Sequence, residues 1–346
     1  MTQREKETST DRRTFMLLAA CATVTSCGGG GGDAATPPPS PPAGSNPAPV
    51  VPPQSPTPTP TPAPTPAPTP APTPTPAPTP APTKSPKRGI AYDLRDAADF
   101  LALSPGVSWW YDWSDTPHGG TASALRMQYG LDFIPMLWNG AFNDAQVTQM
   151  LLANPQIRYL LVLNEPNLVD QSNLKPQEAA TIWPRFEAIA KSTGVKIVGP
   201  QITWGTMKDD KANPPYDYTD PVAWLDAFYA AYRNANSSRD PQVDYLGFHW
   251  YDYGLAGQLD RLLKYGKPFW VTEFANWHSG DGPHVDTALK QKAQMTELVA
   301  VCESRADVFR YAWFTGRWSP DPHFTSLLAG PGVLSDLGAH YLSLPF

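Results

Sequence analysis

The sequence predicts an α/β fold, a (β/α)8 barrel of the TIM type over residues 87–346, preceded by a signal peptide and a disordered Pro/Thr-rich linker. Three observations lead there. All twelve tryptophans lie between Trp109 and Trp318, whereas 24 of the 42 prolines lie between Pro37 and Pro86, so only the later part of the chain can build a core. That part has about 260 residues, a typical length for one such barrel. Within it, short apolar runs alternate with amphipathic stretches of helical period, the pattern of parallel β/α units.

The leader, residues 1–26, has signal-peptide anatomy. Arg12 and Arg13 form its positive patch, and Phe15 to Thr25 is an apolar run too short to span a bilayer. Val24-Thr25-Ser26-Cys27 resembles a bacterial lipobox, in which the cysteine carries the lipid. Leu18-Ala19-Ala20-Cys21 fits the same pattern but leaves an apolar run of only about six residues, so Cys27 is preferred as the lipidation site. Arg12-Arg13-Thr14-Phe15 resembles a twin-arginine signal, although Asp11 is unusual before the pair; this route and general export both stay open. Residues 27–86 read as a Gly/Pro/Thr-rich linker. No charge occurs from Ala34 to Thr83, and such a segment favours polyproline II, a spacer of up to about 3.1 Å per residue. The expected product is an exported monomer, either secreted or held in the cell envelope (outer membrane or surface) as a lipoprotein that meets membrane only through its lipid.

From Arg88 onward eight strands are predicted: Arg88–Asp93, Val107–Trp113, Leu131–Trp138, Arg158–Asn164, Lys196–Ile202, Asp244–Trp250, Pro268–Glu273 and Phe309–Phe314. Most are rich in β-branched and aromatic residues, as strands buried on both faces must be. The clearest helical patterns are Asp144–Ala153, Pro176–Ser192, Pro221–Asn234, Gly257–Tyr265 and Thr287–Arg305. An open doubly wound sheet is the alternative, but no Gly-x-Gly-x-x-Gly follows the first strand and no cofactor is expected. A net charge of −6 without basic runs excludes nucleic acid as the partner. After cleavage at Cys27, Cys302 is the only further cysteine, so no disulfide within the domain is expected and Cys302 reads as a buried helix residue. No metal is expected: His278 and His284 lack partners at ligand spacing, and Asp281 and Asp286 read as a solvated loop.

Two acids end otherwise apolar strands: Glu165 after Tyr159-Leu-Leu-Val-Leu-Asn164, and Glu273 after Phe269-Trp-Val-Thr. An acid there is costly unless it is paired or serves a pocket. Barrel enzymes carry their chemistry at the C-terminal ends of strands. Two carboxyl groups flanking one bond are what glycoside hydrolysis needs. Asn164-Glu165-Pro166 on the fourth strand and Thr272-Glu273-Phe274 on the seventh resemble the glycosidase superfamily with catalytic glutamates at those two places. With Arg88-Gly89-Ile90 at the first strand, the nearer resemblance is to glycoside hydrolase family 128, mainly β-1,3-glucanases. That resemblance implies a polysaccharide substrate, Glu165 as acid/base and Glu273 as nucleophile of a retaining reaction. It also implies that Asn164 holds the sugar 2-hydroxyl, that His249 and Tyr251 line the cleft with the tyrosine on the nucleophile, and that Trp313 forms the floor of a sugar subsite. His249 reads equally as a hydrogen-bonded core histidine, and Trp313 as ordinary barrel packing.

Pyranose rings expose apolar C–H faces, so glycan clefts use aromatic walls. Trp113, Trp138, Trp204 and Trp277 fall near or after strand C-termini and are candidate sugar platforms, as is Trp318; Trp183, Trp224 and Trp270 fall in element bodies and read as core. Two other functions stay open. One is a retaining hydrolase of another glycan, such as mannan, xylan or an exopolysaccharide. The other is a surface lipoprotein that binds glycan without cutting it.

Overall fold

The computed structural model describes residues 83–346. The signal peptide, Cys27 and nearly all of the linker lie outside the described residues. In chain order the strands are β1 (Arg88–Ala91), β2 (Trp109–Tyr111), β3 (Asp132–Phe133), β4 (Met136–Leu137), β5 (Tyr159–Val162), β6 (Lys196–Ile202), β7 (Lys208–Asp209), β8 (Tyr216–Asp217), β9 (Tyr245–Trp250), β10 (Phe269–Phe274), β11 (Val308–Trp313), β12 (Leu328–Gly330) and β13 (Val333–Leu334). The helices are α1 (Ala97–Leu103), α2 (Ala122–Tyr129), α3 (Asp144–Ala153), α4 (Pro176–Thr193), α5 (Pro221–Ala235), α6 (Leu255–Leu262), α7 (Ala288–Ser304) and α8 (Asp336–Ser343).

Nine strands form one parallel sheet in the order β3-β2-β1-β11-β10-β9-β6-β5-β4. The expected third strand is two pieces: Pro135 has no N–H to give a ladder, and β3 pairs with β2 while β4 pairs with β5. Only Ile134 and Pro135 separate the two ends of the sheet order, and three Cα steps span at most about 11 Å. The sheet is therefore barrel-like. Two hairpins, β7–β8 and β12–β13, were not expected from periodicity, being only two or three residues per strand.

The helices start and stop where local chemistry dictates. Asn143 accepts from Gln146 N to begin α3, and Asp220 accepts from Val222 N to begin α5, with Pro221 at its first position. Gly130 and Gly194, at φ 66° and 80°, end α2 and α4. Along α5, Pro221, Trp224, Leu225, Phe228, Tyr229 and Tyr232 form one buried stripe, which packs on Trp183 of α4.

Side-chain alternation along β11 sets the inside of the sheet. Arg310 faces inward, its guanidinium 5.0 Å from the Trp270 ring, 5.2 Å from Tyr159 and 5.7 Å from Trp109. Burial pulls the Arg310 pKa down, and the ring faces supply compensating attraction. Trp109 fits only because Gly89 lies opposite: a Cβ there would stand 2.3 Å from the indole. Tyr311 faces outward and donates to Glu303 of α7. Cys302 is wholly buried on α7, and burial pushes its thiol pKa up. Among the described residues no helix is long and apolar enough to cross a membrane.

Candidate active site

The site is built where β5, β9 and β10 end. At the end of β5, Asn164 bridges to Gln201 of β6, and Glu165 N donates to Gln201 O at 2.9 Å. Leu163 and Glu165 take φ of 56° and 43°, left-handed values that cost an ordinary residue about 1–3 kcal/mol. Such strain turns the chain out of the strand at Glu165. On β10 the ladder to β9 shifts register between Val271 and Glu273, placing Glu273 beside His249. Strict alternation would send Glu273 to the face of Val271; the irregularity lets it join Thr272 on the inner face.

Both glutamates are almost fully buried, at 1% and 3% exposure. Glu273 is held from three directions. Tyr111 donates to Oε1 at 2.9 Å, Trp113 Nε1 donates to Oε1 at 2.8 Å, and Tyr251 donates to Oε2. Burial, then the Glu273 charge, drives the Tyr111 pKa well up, so this phenol stays a donor. His249 Nδ1 lies 2.9 Å from Glu165 Oε1 and 3.4 Å from Glu273 Oε2. His249 Nε2 is buried and has no hydrogen-bond partner among the described residues. One oxygen from each glutamate and one His249 nitrogen lie within 4.8 Å of one another. The same closeness holds for Asp93, Asp112 and His118 at the ends of β1 and β2. Both trios have metal-ligand types, but both are knit internally by hydrogen bonds or ion pairs.

Residues 89–341 match the family described as glycosyl hydrolase catalytic core. A solved endo-β-1,3-glucanase of glycoside hydrolase family 128, subgroup II, from Pseudomonas viridiflava is 60% identical, with 76% of this chain and all of that chain covered at a TM-score of 0.72. The chain belongs to glycoside hydrolase family 128. A second subgroup II endo-β-1,3-glucanase, from Sorangium cellulosum, is 33% identical over 75% of this chain and 98% of its own, with a TM-score of 0.61. A subgroup I endo-β-1,3-glucanase from Amycolatopsis mediterranei, solved with laminaritriose, is 27% identical over 75% and 99% at a TM-score of 0.54. Among curated proteins, alkali-sensitive linkage protein 1 of Schizosaccharomyces pombe is 25% identical over 273 residues, which is 74% of this chain and 44% of that protein.

In this glycoside hydrolase the other candidates fall at different depths. Asn164 is fully buried; its Nδ2 donates to Gln171 Oε1 at 3.1 Å, and its Oδ1 has no partner among the described residues. Trp113 meets Glu273 through its N–H, and the edge of its ring meets Phe314. Trp277 stacks on Tyr251 at 4.0 Å and on His323 at 4.6 Å, forming a wall behind the tyrosine. Trp138 is half-buried at the end of β4, and its carbonyl accepts from Asn164 N. Trp204 is exposed and lies beyond β6. Trp313 is not brought into the site. It is fully buried, donates to Thr325 O at 2.8 Å, and packs against Phe274 and Tyr341 of α8. The next residue, Phe314, takes the inward position and meets the rings of Trp113, Tyr251, Trp277 and Trp318. Sequence reasoning gave no role to Tyr111, Phe314 or His323. Tyr111 had a signal, since it lies two residues before Trp113 at the end of an apolar strand and so shares its face.

Proposed function

We propose that the chain is a retaining endo-β-1,3-glucanase in which the sheet closes as a (β/α)8 barrel around Glu165 and Glu273. The closeness of the two buried carboxyl groups carries this reading. Retaining glycosidases hold their carboxyl groups about 5–5.5 Å apart, whereas inverting ones leave about 6.5–9.5 Å for a water. Carboxylate oxygens within 4.8 Å suit direct attack. The family 128 relatives named as endo-β-1,3-glucanases support the substrate and mode of action.

Glu273 is the nucleophile. Its donors Tyr111, Trp113 and Tyr251 aim an acceptor-only carboxylate at the anomeric carbon. As its oxygen bonds to that carbon, the glycosidic bond breaks and Glu165 gives its proton to the leaving oxygen. In the second step Glu165 takes a proton from water, water attacks the same carbon, and the ester to Glu273 breaks. His249 joins the two carboxyl groups and fixes their separation through both steps. Asn164 Oδ1, next to Glu165 and without a partner among the described residues, is the acceptor we assign to the sugar 2-hydroxyl.

The test replaces each glutamate by alanine and supplies azide with an activated aryl β-glucoside of suitable length. Glu165→Ala should yield the β-glycosyl azide, because azide replaces water on the glycosyl-enzyme. Glu273→Ala should yield the α anomer, because azide replaces the nucleophile. Proton NMR of the anomeric hydrogen distinguishes them, and the reverse outcome would exchange the roles. Absence of any rescue, with both variants folded, would favour a protein that binds glycan without cutting it. The chain is also proposed to be an exported lipoprotein anchored through Cys27. Cys27→Ser should release it from the membrane fraction once the leader is removed, and continued sedimentation with membranes would refute a lipid anchor.

A further inference from the structure

The geometry points to Trp204 as a platform for the leaving-group side of the glucan, a specificity-determining residue beyond the sugar that receives the proton. This inference rests on the roles proposed for Glu165 and Glu273. Among the twelve tryptophans, Trp204 alone is exposed, with 45% of its surface accessible; the other eleven are buried or half-buried. A single exposed apolar residue is ordinary. This one is unusual in being fixed. Its Nε1 donates to Gln258 Oε1 at 3.0 Å, and the Arg261 guanidinium lies 5.2 Å over the ring. Arg261 is itself held by Gln258 and by Asp220, the cap of α5. The indole is thus backed by a cation on one side and pinned at its edge.

Its backbone is tied to the acid/base loop. Asn167 lies two residues after Glu165 and is fully buried. Its Nδ2 donates to Thr203 O at 2.6 Å, and its carbonyl accepts from Thr206 N and Met207 N, both at 3.1 Å. Gly205 allows this approach, since a Cβ there would lie 2.0 Å from Asn167 O. The segment 203–207 and the turn carrying Glu165 therefore form one rigid unit. Position decides which part of the substrate this unit meets. Trp204 follows β6, the neighbour of the Glu165 strand, whereas Glu273 lies on β10, with β9 between β6 and β10. Glu165 protonates the departing oxygen, so the departing chain leaves on its side. A flat indole held there presents an apolar face to the C–H face of a pyranose.

The experiment compares the full chain with Trp204→Ala and Trp204→Phe on two substrates. One is an aryl β-laminaritrioside, whose leaving group carries no sugar. The other is laminarihexaose with its reducing end labelled by oxygen-18, so that mass spectrometry reports which bond is cut. Trp204→Ala should lower kcat/KM on the hexaose about tenfold, mainly through KM, and shift cutting toward bonds that release shorter reducing-end fragments. Activity on the aryl substrate should stay within about twofold of the parent, and Trp204→Phe should recover most of the loss. Equal losses on both substrates would overturn the proposal, because the residue would then serve the fold or the other end of the chain. So would no loss on either. A parent protein that cuts neither substrate would remove the hydrolase reading itself, and the platform with it.

Discussion

Gly247→Ala should damage the protein far more than a methyl group suggests. Gly247 lies on β9, facing the Gln201 side chain, which fills the space between β6, β9 and β10. Gln201 is fully buried; its Nε2 donates to Val198 O at 2.6 Å, and its Oε1 accepts from Thr272 Oγ1 at 2.6 Å. A Cβ on residue 247 would stand 2.0 Å from that Oε1 and 2.4 Å from Cδ. Either the strand shifts or Gln201 is expelled. Overpacking costs about 1–3 kcal/mol. Each buried polar group left unsatisfied costs a further 1–3 kcal/mol or so, and the Thr272 hydroxyl and the Gln201 amide are both at risk. The expected loss is about 3–9 kcal/mol, a large share of a typical domain stability of about 5–15 kcal/mol. At about 2–4 °C per kcal/mol for a domain of this size, Tm should fall by roughly 6–36 °C. Urea unfolding followed by tryptophan fluorescence measures the loss directly. Gln201→Ala removes the obstructing atoms, so the double variant should be at least about 2 kcal/mol more stable than additivity requires. A Gly247→Ala variant within about 1 kcal/mol of the parent, or strict additivity with Gln201→Ala, would refute the packing argument.

Two further outcomes follow from the same geometry. Trp113→Phe keeps a ring but removes the N–H donor to Glu273; losing a hydrogen bond to a charged group should lower kcat/KM on laminarin about 10- to 100-fold, and an unchanged value would remove Trp113 from the nucleophile's support. Asp112 is buried at the end of β2, and burial, opposed by Ser114 and His118, pushes its pKa from an ordinary 3.8 up to about 6. A raised carboxyl favours folding most below its unfolded pKa and loses that contribution as pH rises through about 6. Between pH 4 and 7 the parent should therefore lose roughly 2–3 kcal/mol relative to Asp112→Asn, and parallel urea midpoints across that range would contradict it.

What the sequence could and could not disclose follows the reach of its signals. Apolar runs located every strand of the sheet, because burial on both faces needs little beyond composition. The acids stood out because each interrupts such a run. Register was harder, since a shift of one residue exchanges the two faces of a strand. On β10, strict alternation from Trp270 and Thr272 would turn Glu273 away from the interior, and only the register shift beside His249 brings it back. A motif match can find that glutamate; periodicity alone would reject it. On β11 the reverse holds. Arg310 lies among inward rings, and Tyr311 faces Glu303. Period two then places Trp313 with Tyr311 on the outer face and Phe314 with Arg310 on the inner one. Resemblance put the tryptophan in the cleft, whereas alternation puts the phenylalanine there, and the rings of Trp113, Tyr251 and Trp277 around Phe314 agree with alternation. The two strands differ for one physical reason. The β10 ladders shift register between Val271 and Phe274, whereas β11 pairs with β1 in unbroken register from Tyr311 to Trp313, so the same period-two rule fails on the first strand and holds on the second from Arg310 onward.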